Sequence, residues 1–592
     1  AHSLESTYRM SATAKDRMLK AYIVKILLRY TSVAVLMVLS IGQDICHAVE
    51  KLEAFYSVYV TQAITDARIL PDTRIDAKHL SRTVDVSACR GEYEPATFTI
   101  RAHRRLTGVR VSVTDLFHEK DRIHSSAVDV RIVKCWFQAG YRIYDVKKRI
   151  LTPELLLKDD KLIRVDYKSK DNYLRVKDRN GKDVYVLISG SDSRDIVDIL
   201  PRDADTLQPV DIDAGTNKQF WITVRVPQDA KPGEYTGKLS ISADGTPPSD
   251  IVLRLRVWPF ELEKPALRYA IYYRGRLSRH PITAPEMRKH RDQLGLLNSN
   301  WKTPEQYLAE MRNLKAHGVE YPTVYQSDEA LFRQEVSLRD KAGLPKDALY
   351  SLGVQTGNPS KPEDLHALEK KITRWKRIIG EHGYENLYVY GIDEAKGDLL
   401  RAQRPAWITV RKAGGKVFAA INTGSAGVMG DILDLAVLPG KPDQKEAEQY
   451  HKMGGQVFSY SNPQVGEETP ETYRRNFGIA LWKAGYQGAM NYAYQHSANH
   501  IWNDFDHPKY RDHVFAYPTV NNVIDTVQYE GFREAIDDIR YISTLSRLIN
   551  HGSENNVPDA RQAKAWLENI RPDRGLQQQR QEAIDWILRL SR

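Results

Sequence analysis

Residues 387–394 read Leu-Tyr-Val-Tyr-Gly-Ile-Asp-Glu, an apolar strand followed at once by two acidic residues. The stretch is one of eight short apolar segments between residues 265 and 550, and amphipathic patterns of helical spacing separate these segments. Alternation of short strands with long helices predicts a parallel sheet covered by helices. The predicted strands span 267–273, 321–326, 348–354, 387–392, 416–421, 433–438, 456–460 and 488–494.

Glycines at the helix ends support this interpretation. Gly318, Gly383, Gly414, Gly454 and Gly485 each stand a few residues before the next strand, where a helix C-cap glycine is expected. Eight β/α units over about 260 residues fit a (β/α)8 (TIM) barrel, which we place at 265–550. An open doubly wound sheet is the alternative, but such a sheet usually has fewer strands and a glycine-rich first turn.

Residues 52–264 follow a different pattern, in which apolar and polar residues alternate at period two. This alternation is typical of antiparallel sheets with one buried face, and it predicts an N-terminal β-sandwich. Between residues 151 and 201 the pattern weakens into a charged segment, which we interpret as a long insertion that reaches toward another domain. Residues 551–592 are predicted to form a C-terminal helical extension. The chain is thus expected to be multidomain, with a β domain before an α/β domain.

The first 48 residues are predicted to be a secretory signal peptide. A basic segment precedes an apolar run at 31–41, which is shorter than the roughly 20 residues of a membrane span. Cys46-His47-Ala48 supplies a cleavage site, so we expect a secreted or periplasmic protein without stable membrane insertion after cleavage. An uncleaved N-terminal anchor is the alternative. In an oxidising compartment Cys89 and Cys135 either pair or remain free thiols.

Length and composition exclude several classes of function. A chain of 592 residues suggests about two to four domains. Its 86 Lys and Arg residues against 76 Asp and Glu residues give a net charge of +10, without the long basic block of a nucleic-acid-binding protein. The sequence has no phosphate-binding loop, Cys-x-x-Cys or His-Glu-x-x-His motif. We therefore expect no nucleic-acid partner, no metal and no other cofactor.

The active site of a (β/α)8 barrel lies at the C-terminal ends of its strands. Asp393 and Glu394 stand at the end of the predicted fourth strand, and both can reach one pocket only if the strand bends there, near Gly391. The alternative is that Asp393 merely caps the next helix. Aromatic and amide side chains at the other strand ends suit the apolar faces and hydroxyl rim of a sugar. The residues predicted to bind substrate are Tyr272, Tyr390, Asn422, Tyr460, Asn462, Asn491, Tyr494, Trp502 and Asp504.

The positions of the carboxylates limit the mechanism. An ordinary retaining glycosidase needs an acid and a separate carboxylate nucleophile. The end of the seventh strand, where that nucleophile commonly stands, holds Ser461 and Asn462. A substrate-assisted mechanism needs one acid and one carboxylate that orients the sugar's 2-acetamido group, and Asp393 with Glu394 can supply both. Two alternatives remain: a non-catalytic carbohydrate-binding protein, or a second carboxylate from Asp328, Glu329 or Asp504.

Several stretches resemble glycoside hydrolase family 123, a family of β-N-acetylgalactosaminidases and related proteins. The similar residues are 91–96, 227–237, the pair 393–394, and 517–518 with 530–541. The resemblance implies a β-sandwich followed by a (β/α)8 barrel. It also implies exo-acting, anomer-retaining hydrolysis of β-linked 2-acetamido sugars in oligosaccharides or glycoconjugates. By position, Asp393 would stabilise the acetamido group and Glu394 would be the acid/base. The chain departs from the family pattern at Ala395, where proline often follows the acidic pair.

Two further groups of polar residues receive structural interpretations. In the segment 530–541, the spacing predicts that Glu530 pairs with Arg533 and Asp537 with Arg540 on one helix. The histidines after the eighth strand fit no standard metal-ligand spacing, so we predict a loop over the barrel mouth rather than a metal site. They are His496, His500 and His507.

Overall fold

The computed structural model describes residues 55–591, with gaps at 179, 194–195, 197–199, 279–299, 498 and 555–556. The predicted signal peptide at 1–48 lies outside the described residues. Within these residues the chain forms antiparallel sheets, then a nearly closed parallel barrel with surrounding helices, and then C-terminal helices. The predicted fold class is therefore confirmed.

Two packed sheets form the sandwich, with strand orders β1-β3-β13-β7-β8 and β12-β4-β14-β15-β2, and a third sheet has the order β11-β10-β9. Phe98 and Phe220 stack in the core with their ring centroids 4.9 Å apart. Most neighbouring strands are antiparallel, but β15 and β2 run parallel. The strands are β1 Tyr56–Thr61, β2 Thr83–Ala88, β3 Tyr93–Ala102, β4 Leu106–Val113, β5 Leu116–His118, β6 Asp121–Ile123, β7 Val128–Gln138, β8 Ile150–Leu157, β9 Ile163–Asp166, β10 Asp171–Lys177, β11 Asp183–Leu187, β12 Val210–Ile212, β13 Asn217–Arg225, β14 Gly233–Ala243 and β15 Thr246–Val257.

The segment predicted as an insertion contacts the barrel. It begins with β8, which belongs to the sandwich, and continues through the small sheet of β9 to β11. Asn503 of the barrel donates a hydrogen bond to the carbonyl of Gly190 over 2.8 Å, and Ser193 bonds Asp506. The insertion thus joins the two domains on one side.

Eight parallel strands form the barrel sheet in the order β19-β16-β25-β24-β23-β22-β21-β20. A single bridge between Val324 and Ser351 links its two ends. All eight overlap the predicted segments, although β19 is much shorter than predicted. The strands from the start of the barrel are β16 Arg268–Ile271, β17 Arg276–Leu277, β18 Trp301–Lys302, β19 Tyr321–Pro322, β20 Ala348–Gln355, β21 Asn386–Tyr390, β22 Lys416–Ala420, β23 Leu435–Pro439, β24 Gln456–Tyr460, β25 Gly488–Asn491, β26 Gln495–His496, β27 His513–Val514, β28 Ala516–Pro518 and β29 Val523–Asp525.

Helices surround the barrel, and the five predicted C-cap glycines all have φ between +72° and +84°. Only glycine adopts this left-handed conformation without steric cost, so these positions end the helices and return the chain to the sheet. The helices are α1 Pro304–Ala316, α2 Glu329–Ala342, α3 Pro362–Glu381, α4 Gly397–Arg401, α5 Arg404–Lys412, α6 Ala426–Met429, α7 Gln444–Lys452, α8 Pro470–Phe477, α9 Ile479–Lys483, α10 Val527–Glu554, α11 Pro558–Glu568 and α12 Leu576–Leu590.

The stretches that carry the family resemblance meet at the interface between the domains. On α10, Tyr541 donates a hydrogen bond to Glu92 of the sandwich over 2.9 Å. Arg580 of α12 bonds both Glu94 and Asp538, at 3.2 and 2.6 Å. All these side chains are buried. The buried charged residues of 91–96 and 530–541 therefore hold the sandwich, the barrel and the C-terminal helices together.

The ion pairs predicted along α10 are present. Arg533 bonds Glu530, and Arg540 bonds Asp537 at 2.8 Å. These contacts confirm the structural interpretation of the charges.

Cys89 and Cys135 are free thiols. Burial raises the pKa of the Cys135 thiol to about 11 and raises that of Cys89 further. Of the two alternatives for this pair, the structure therefore shows the unpaired form. Among the described residues, no helix combines the length and apolar character that crossing a membrane requires.

Candidate active site

A cavity of about 360 Å³ opens at the carboxyl ends of the barrel strands. This volume lies at the small end of the range for ligand pockets. Both residues of the acidic pair and three of the predicted binding residues reach it. The lining residues are Tyr144, Tyr272, Arg274, Tyr325, Leu352, Gln355, Tyr390, Asp393, Glu394, Ala420, Tyr460, Gln464, Tyr492 and His513.

The backbone departs from regular pleating between the end of β21 and the acidic pair. Gly391 N donates to the carbonyl of Phe418 over 2.9 Å, and Glu394 N donates to the carbonyl of Ala420 over 3.1 Å. Glu394 adopts φ +46°, a left-handed conformation that is uncommon for residues with a side chain. This turn brings the side chains of Asp393 and Glu394 into one cavity, although the two residues are adjacent in sequence.

A tyrosine holds each carboxylate. The Tyr390 hydroxyl donates to Oδ1 of Asp393 over 2.5 Å, and the Tyr460 hydroxyl donates to Oε1 of Glu394. Asn422 does not line the cavity, but its amide donates to the backbone carbonyl of Glu394 over 3.3 Å. The three residues thus fix the positions of the two acids from β21, from the segment just after β22, and from β24.

The surroundings of Asp393 disfavour its charged form. Burial by the cavity walls raises the pKa of Asp393, and the nearby charge of Glu394 raises it further. The hydrogen bond from Tyr390 acts in the opposite direction, since it stabilises the carboxylate. Burial also raises the pKa of Tyr460, so this phenol stays protonated and donates to Glu394.

A cationic side chain stands on another wall of the cavity. Arg274 follows β16 and donates from Nη1 to the Tyr492 hydroxyl over 2.8 Å. Its guanidinium lies 5.4 Å from the centre of the Tyr325 ring. Four lining residues that the sequence analysis missed stand at or just beyond the ends of barrel strands, and this position could have predicted them as cavity residues. They are Arg274, Tyr325, Gln355 and Tyr492.

Tyr144 comes from the sandwich domain and lines the same cavity with most of its surface exposed. The loop that carries it is tied to the barrel, because Arg511 donates to the carbonyls of Gly140 and Ile143 over 2.7 and 2.8 Å. No strand-end pattern in the sequence points to a residue of another domain.

Three residues predicted to bind substrate are instead held by protein groups near β24 and β25. Asn491 is buried and accepts from the backbone N–H of Ser461 over 2.9 Å. Tyr494 is fully buried and donates to Oδ1 of Asn313 over 2.9 Å. Asn462 accepts from the amide of Asn476 over 3.2 Å. None of the three lines the cavity.

Trp502 and Asp504 lie at the junction with the sandwich rather than at the cavity. Trp502 packs 4.7 Å from Tyr517 between ring centroids, and its indole N–H donates to the carbonyl of Pro518 over 3.0 Å. Asp504 forms a buried ion pair with Arg511 at 2.7 Å. The chain after β25 turns toward the insertion of the sandwich, so neither of these predicted binding residues lines the cavity.

The other candidate carboxylates also lie away from the cavity. Asp328 caps α2 by accepting from the backbone N–H groups of Ala330 and Leu331. Glu329 pairs with Arg333 and Arg374 on the outer face of the helices. Among the described residues that line the cavity, Asp393 and Glu394 are therefore the only carboxylates.

One buried group of residues has the composition of a metal site. Ligand atoms of His317, Asp525 and Glu530 lie within 4.8 Å of one another. Each carboxylate already has a cationic partner, however, since Arg131 bonds Asp525 at 2.8 Å and Arg533 bonds Glu530. These pairs satisfy the charges without a metal ion.

The histidines of the predicted loop after the eighth strand make local contacts. His496 bonds Tyr492, His500 bonds Trp502, and His507 bonds Tyr510.

Sequence comparison identifies part of the sandwich domain. Residues 180–243 match the family described as Glycoside hydrolase 123 N-terminal domain. This range includes 227–237, one of the stretches on which the resemblance rests. No curated protein sequence matches the chain.

Structural comparison covers nearly the whole chain. A family 123 glycoside hydrolase from Clostridium perfringens, solved in a study of glycolipid glycan hydrolysis, superposes with a TM-score of 0.60 at 11% identity. The match covers 90% of this chain and 97% of that chain. A Bacteroides ovatus GH5 xyloglucanase gives a TM-score of 0.27 at 10% identity, covering 81% of this chain and 100% of its own. A family 39 glycoside hydrolase from Bacteroides cellulosilyticus gives 0.29 at 12%, covering 57% and 76%. The resemblance is thus confirmed: residues 180–243 match the glycoside hydrolase 123 N-terminal domain, and the chain has the fold of a family 123 glycoside hydrolase.

Proposed function

We propose that the protein is an exported glycoside hydrolase that removes terminal β-linked 2-acetamido sugars, of the N-acetylgalactosamine type, from oligosaccharides or glycoconjugates. The observation that carries the proposal is the acidic pair. Asp393 and Glu394 enter one small cavity, and each is held there by a tyrosine. The described lining residues offer no third carboxylate as a nucleophile, so the proposal assigns that role to the substrate.

In the first step, the carbonyl oxygen of the 2-acetamido group attacks the anomeric carbon. Glu394 donates its proton to the glycosidic oxygen as the bond to the leaving group breaks, which yields a cyclic oxazolinium ion and a free alcohol. The amide nitrogen becomes positively charged, and the carboxylate of Asp393 accepts a hydrogen bond from its N–H. Electrostatic stabilisation of a developing charge by a fixed group is a large source of catalysis.

In the second step, Glu394 is a carboxylate and acts as a general base. It takes a proton from water while the water oxygen attacks the anomeric carbon and the ring of the intermediate opens. Two inversions at the same carbon give net retention of configuration. One residue serves as acid and then as base, as in other retaining glycosidases.

The two tyrosines are proposed to support the different roles of the two acids, charge stabilisation by Asp393 and proton transfer by Glu394. Tyr390 stabilises Asp393 in the charged form that the amide N–H requires. Tyr460 leaves the second carboxylate oxygen of Glu394 free to face the glycosidic bond. The small cavity suits the terminal sugar of a chain, and Tyr144 at its rim can pack against the leaving group.

The substrate class is supported by the fold comparison and the export by the sequence pattern of residues 1–48. The Clostridium perfringens enzyme was studied for the hydrolysis of glycolipid glycans, and we propose a glycan substrate for this chain. Extracellular glycans are accessible to a secreted or periplasmic enzyme, which is consistent with the proposed export.

The proposal is tested by hydrolysis of paired aryl β-glycosides that differ only at C2. We expect turnover of aryl β-N-acetylgalactosaminide or its gluco epimer, and none of the matching 2-hydroxy glycosides. The first product detected by NMR should be the β-anomer. An α-anomer as first product, or efficient turnover of 2-hydroxy sugars, would contradict the mechanism. Binding of the glycan without any turnover would indicate a carbohydrate-binding protein instead.

A further inference from the structure

We propose that the cavity binds an anionic group of the glycan, a sulfate ester or a carboxylate, through Arg274. The inference rests on the proposed function and adds the class of substrate to it. Arg274 follows β16, the first strand of the barrel, whereas the acidic pair follows β21, the fourth. The cavity therefore carries a positive charge on one wall and the catalytic carboxylates on another.

Among the described residues, Arg274 has no acidic partner. Its Nη1 donates to the Tyr492 hydroxyl over 2.8 Å, and its Nε donates to Oδ1 of Asn300 over 3.4 Å. Its Nη2 makes no hydrogen bond to the described residues, and none of their carboxylates lies within ion-pair distance. The side chain is only partly exposed. Partly buried guanidinium groups usually pair with an anion, because desolvation of an unpaired charge is costly.

The catalytic acids do not neutralise this charge. Burial raises the pKa of both Tyr325 and Tyr492; the charge of Asp393 adds to this rise, and the charge of Arg274 opposes it. The two tyrosines therefore lie within range of both charges. No ion pair joins Arg274 to either Asp393 or Glu394, so the guanidinium can pair with a ligand.

Two side chains near Arg274 also have buried nitrogen atoms without a hydrogen-bond partner among the described residues. Arg276 lies two residues further along, 4.4 Å from the Trp301 ring, and its buried Nε has no hydrogen-bond partner in the described part of the chain. Burial, with smaller contributions from the charges of Arg511 and Arg274, lowers the pKa of His513 to about 4, so this histidine is neutral at physiological pH. His513 lines the cavity with 6% of its surface exposed, and its Nδ1 also has no partner there.

The chemistry of the guanidinium favours an oxyanion over a neutral hydroxyl. Its planar N–H groups match the oxygens of a carboxylate or a sulfate, and charge-assisted hydrogen bonds are stronger than neutral ones. A sugar anion elsewhere in the cavity would be repelled by Asp393 and Glu394. Placement of the anion at Arg274 avoids this repulsion and fixes the orientation of the sugar ring.

The test is a binding titration with the full chain carrying Glu394→Gln, which retains the cavity but lacks the acid. Four related sugars serve as probes: N-acetylgalactosamine, its 4-sulfate, its 6-sulfate, and the corresponding 2-acetamido galacturonic acid. We expect at least one anionic sugar to bind roughly tenfold more tightly than the neutral sugar, as a charge-assisted hydrogen bond predicts. Preference for a sulfate or for the uronic acid tells which oxyanion the site takes.

The matched variants separate a direct contact from a general effect of charge. Adding Arg274→Gln should reduce the preference for the anionic sugar to less than about threefold, and Arg274→Lys should restore part of it. Adding Arg276→Gln removes the same charge two residues away and should leave most of the preference. Increasing salt should weaken binding of the anionic sugars more than that of the neutral one.

The inference is overturned if the neutral sugar binds as tightly as all three anionic sugars, if none of the four binds, or if the preference survives Arg274→Gln. Hydrolysis by the wild-type chain separates this failure from failure of the proposed function. Turnover of aryl β-N-acetylgalactosaminide without a preference for its sulfated forms would contradict the proposed anion site but support the proposed glycosidase activity. Absence of turnover for every neutral and anionic glycoside would contradict both.

Discussion

The Tyr390 hydroxyl donates a hydrogen bond to Oδ1 of Asp393 over 2.5 Å, across the turn that follows β21. Tyr390 is buried, whereas Asp393 is open to the cavity. The strand thus supplies both the carboxylate and the group that controls its charge. Because burial and Glu394 raise the pKa of Asp393, this hydrogen bond is the contact that favours the ionised form.

Replacement of Tyr390 by phenylalanine should shift the pH dependence of hydrolysis. The proposed mechanism requires Asp393 to be ionised, so activity is lost as the pH falls through the pKa of this carboxyl. Tyr390→Phe removes the contact that lowers the pKa, which rises further, and the acidic limb of kcat/KM should move to higher pH. The rate at the optimum should also fall by about tenfold or more, because hydrogen bonds to charged groups contribute about 1.5–3 kcal/mol.

Tyr325→Phe provides the control, since Tyr325 lines the same cavity but makes no hydrogen bond to Asp393. Its acidic limb should stay close to that of the wild type. A limb that moves to lower pH in Tyr390→Phe, or equally in both variants, would contradict the assigned role.

Replacement of Arg580 by methionine should strongly destabilise the protein. Arg580 bonds Glu94, Glu534 and Asp538, and all four side chains are buried. Removing the guanidinium leaves these buried carboxylates without their shared cation. Loss of one partner from a buried ion pair lowers the free energy of unfolding by about 3–5 kcal/mol. The measurement is the midpoint of thermal unfolding. The control is Arg571→Met, which breaks an exposed pair with Asp573 and should change the midpoint very little.

Gly531→Ala tests the close contact between α10 and α8. A Cβ atom at Gly531 would lie 2.2 Å from the carbonyl oxygen of Pro470, so the helices would have to move apart. We expect a loss of about 1–3 kcal/mol, in the range of other overpacked sites. In contrast, a Cβ at Gly380 of α3 would meet no atom within 4 Å, and Gly380→Ala should be neutral or stabilising by up to about 1 kcal/mol. Equal midpoints for the two variants would contradict this account of Gly531.

The fold was predictable because its signals are local. Period-two alternation marked the sandwich, and apolar segments with a C-cap glycine such as Gly318 marked the barrel strands. The acidic pair was predictable for the same reason, since the C-terminal end of a barrel strand is a known position. The positions of the strand ends were predicted less accurately. For example, β19 ends at Pro322, although the predicted strand continues to residue 326.

The rest of the cavity depends on contacts between segments distant in sequence. Trp502 and Asp504 follow β25 closely, but the path of that loop is set by the sandwich insertion and by the ion pair with Arg511. Tyr144 approaches from another domain, which no pattern in the barrel could show. Tyr494 lies beyond the end of β25, and its ring packs against Tyr529 of α10 instead of facing the cavity.

The most direct test of the central claim compares Asp393→Asn and Glu394→Gln with the wild type on aryl β-N-acetylgalactosaminide and aryl β-galactoside. We predict that the wild type hydrolyses only the 2-acetamido sugar. Glu394→Gln should lose about 10²- to 10⁴-fold in rate, the usual contribution of a general acid/base. Asp393→Asn should lose about 10²- to 10³-fold, the usual contribution of a group that stabilises a developing charge. Undiminished activity of Glu394→Gln, or hydrolysis of the β-galactoside at a comparable rate, would contradict substrate assistance by this acidic pair.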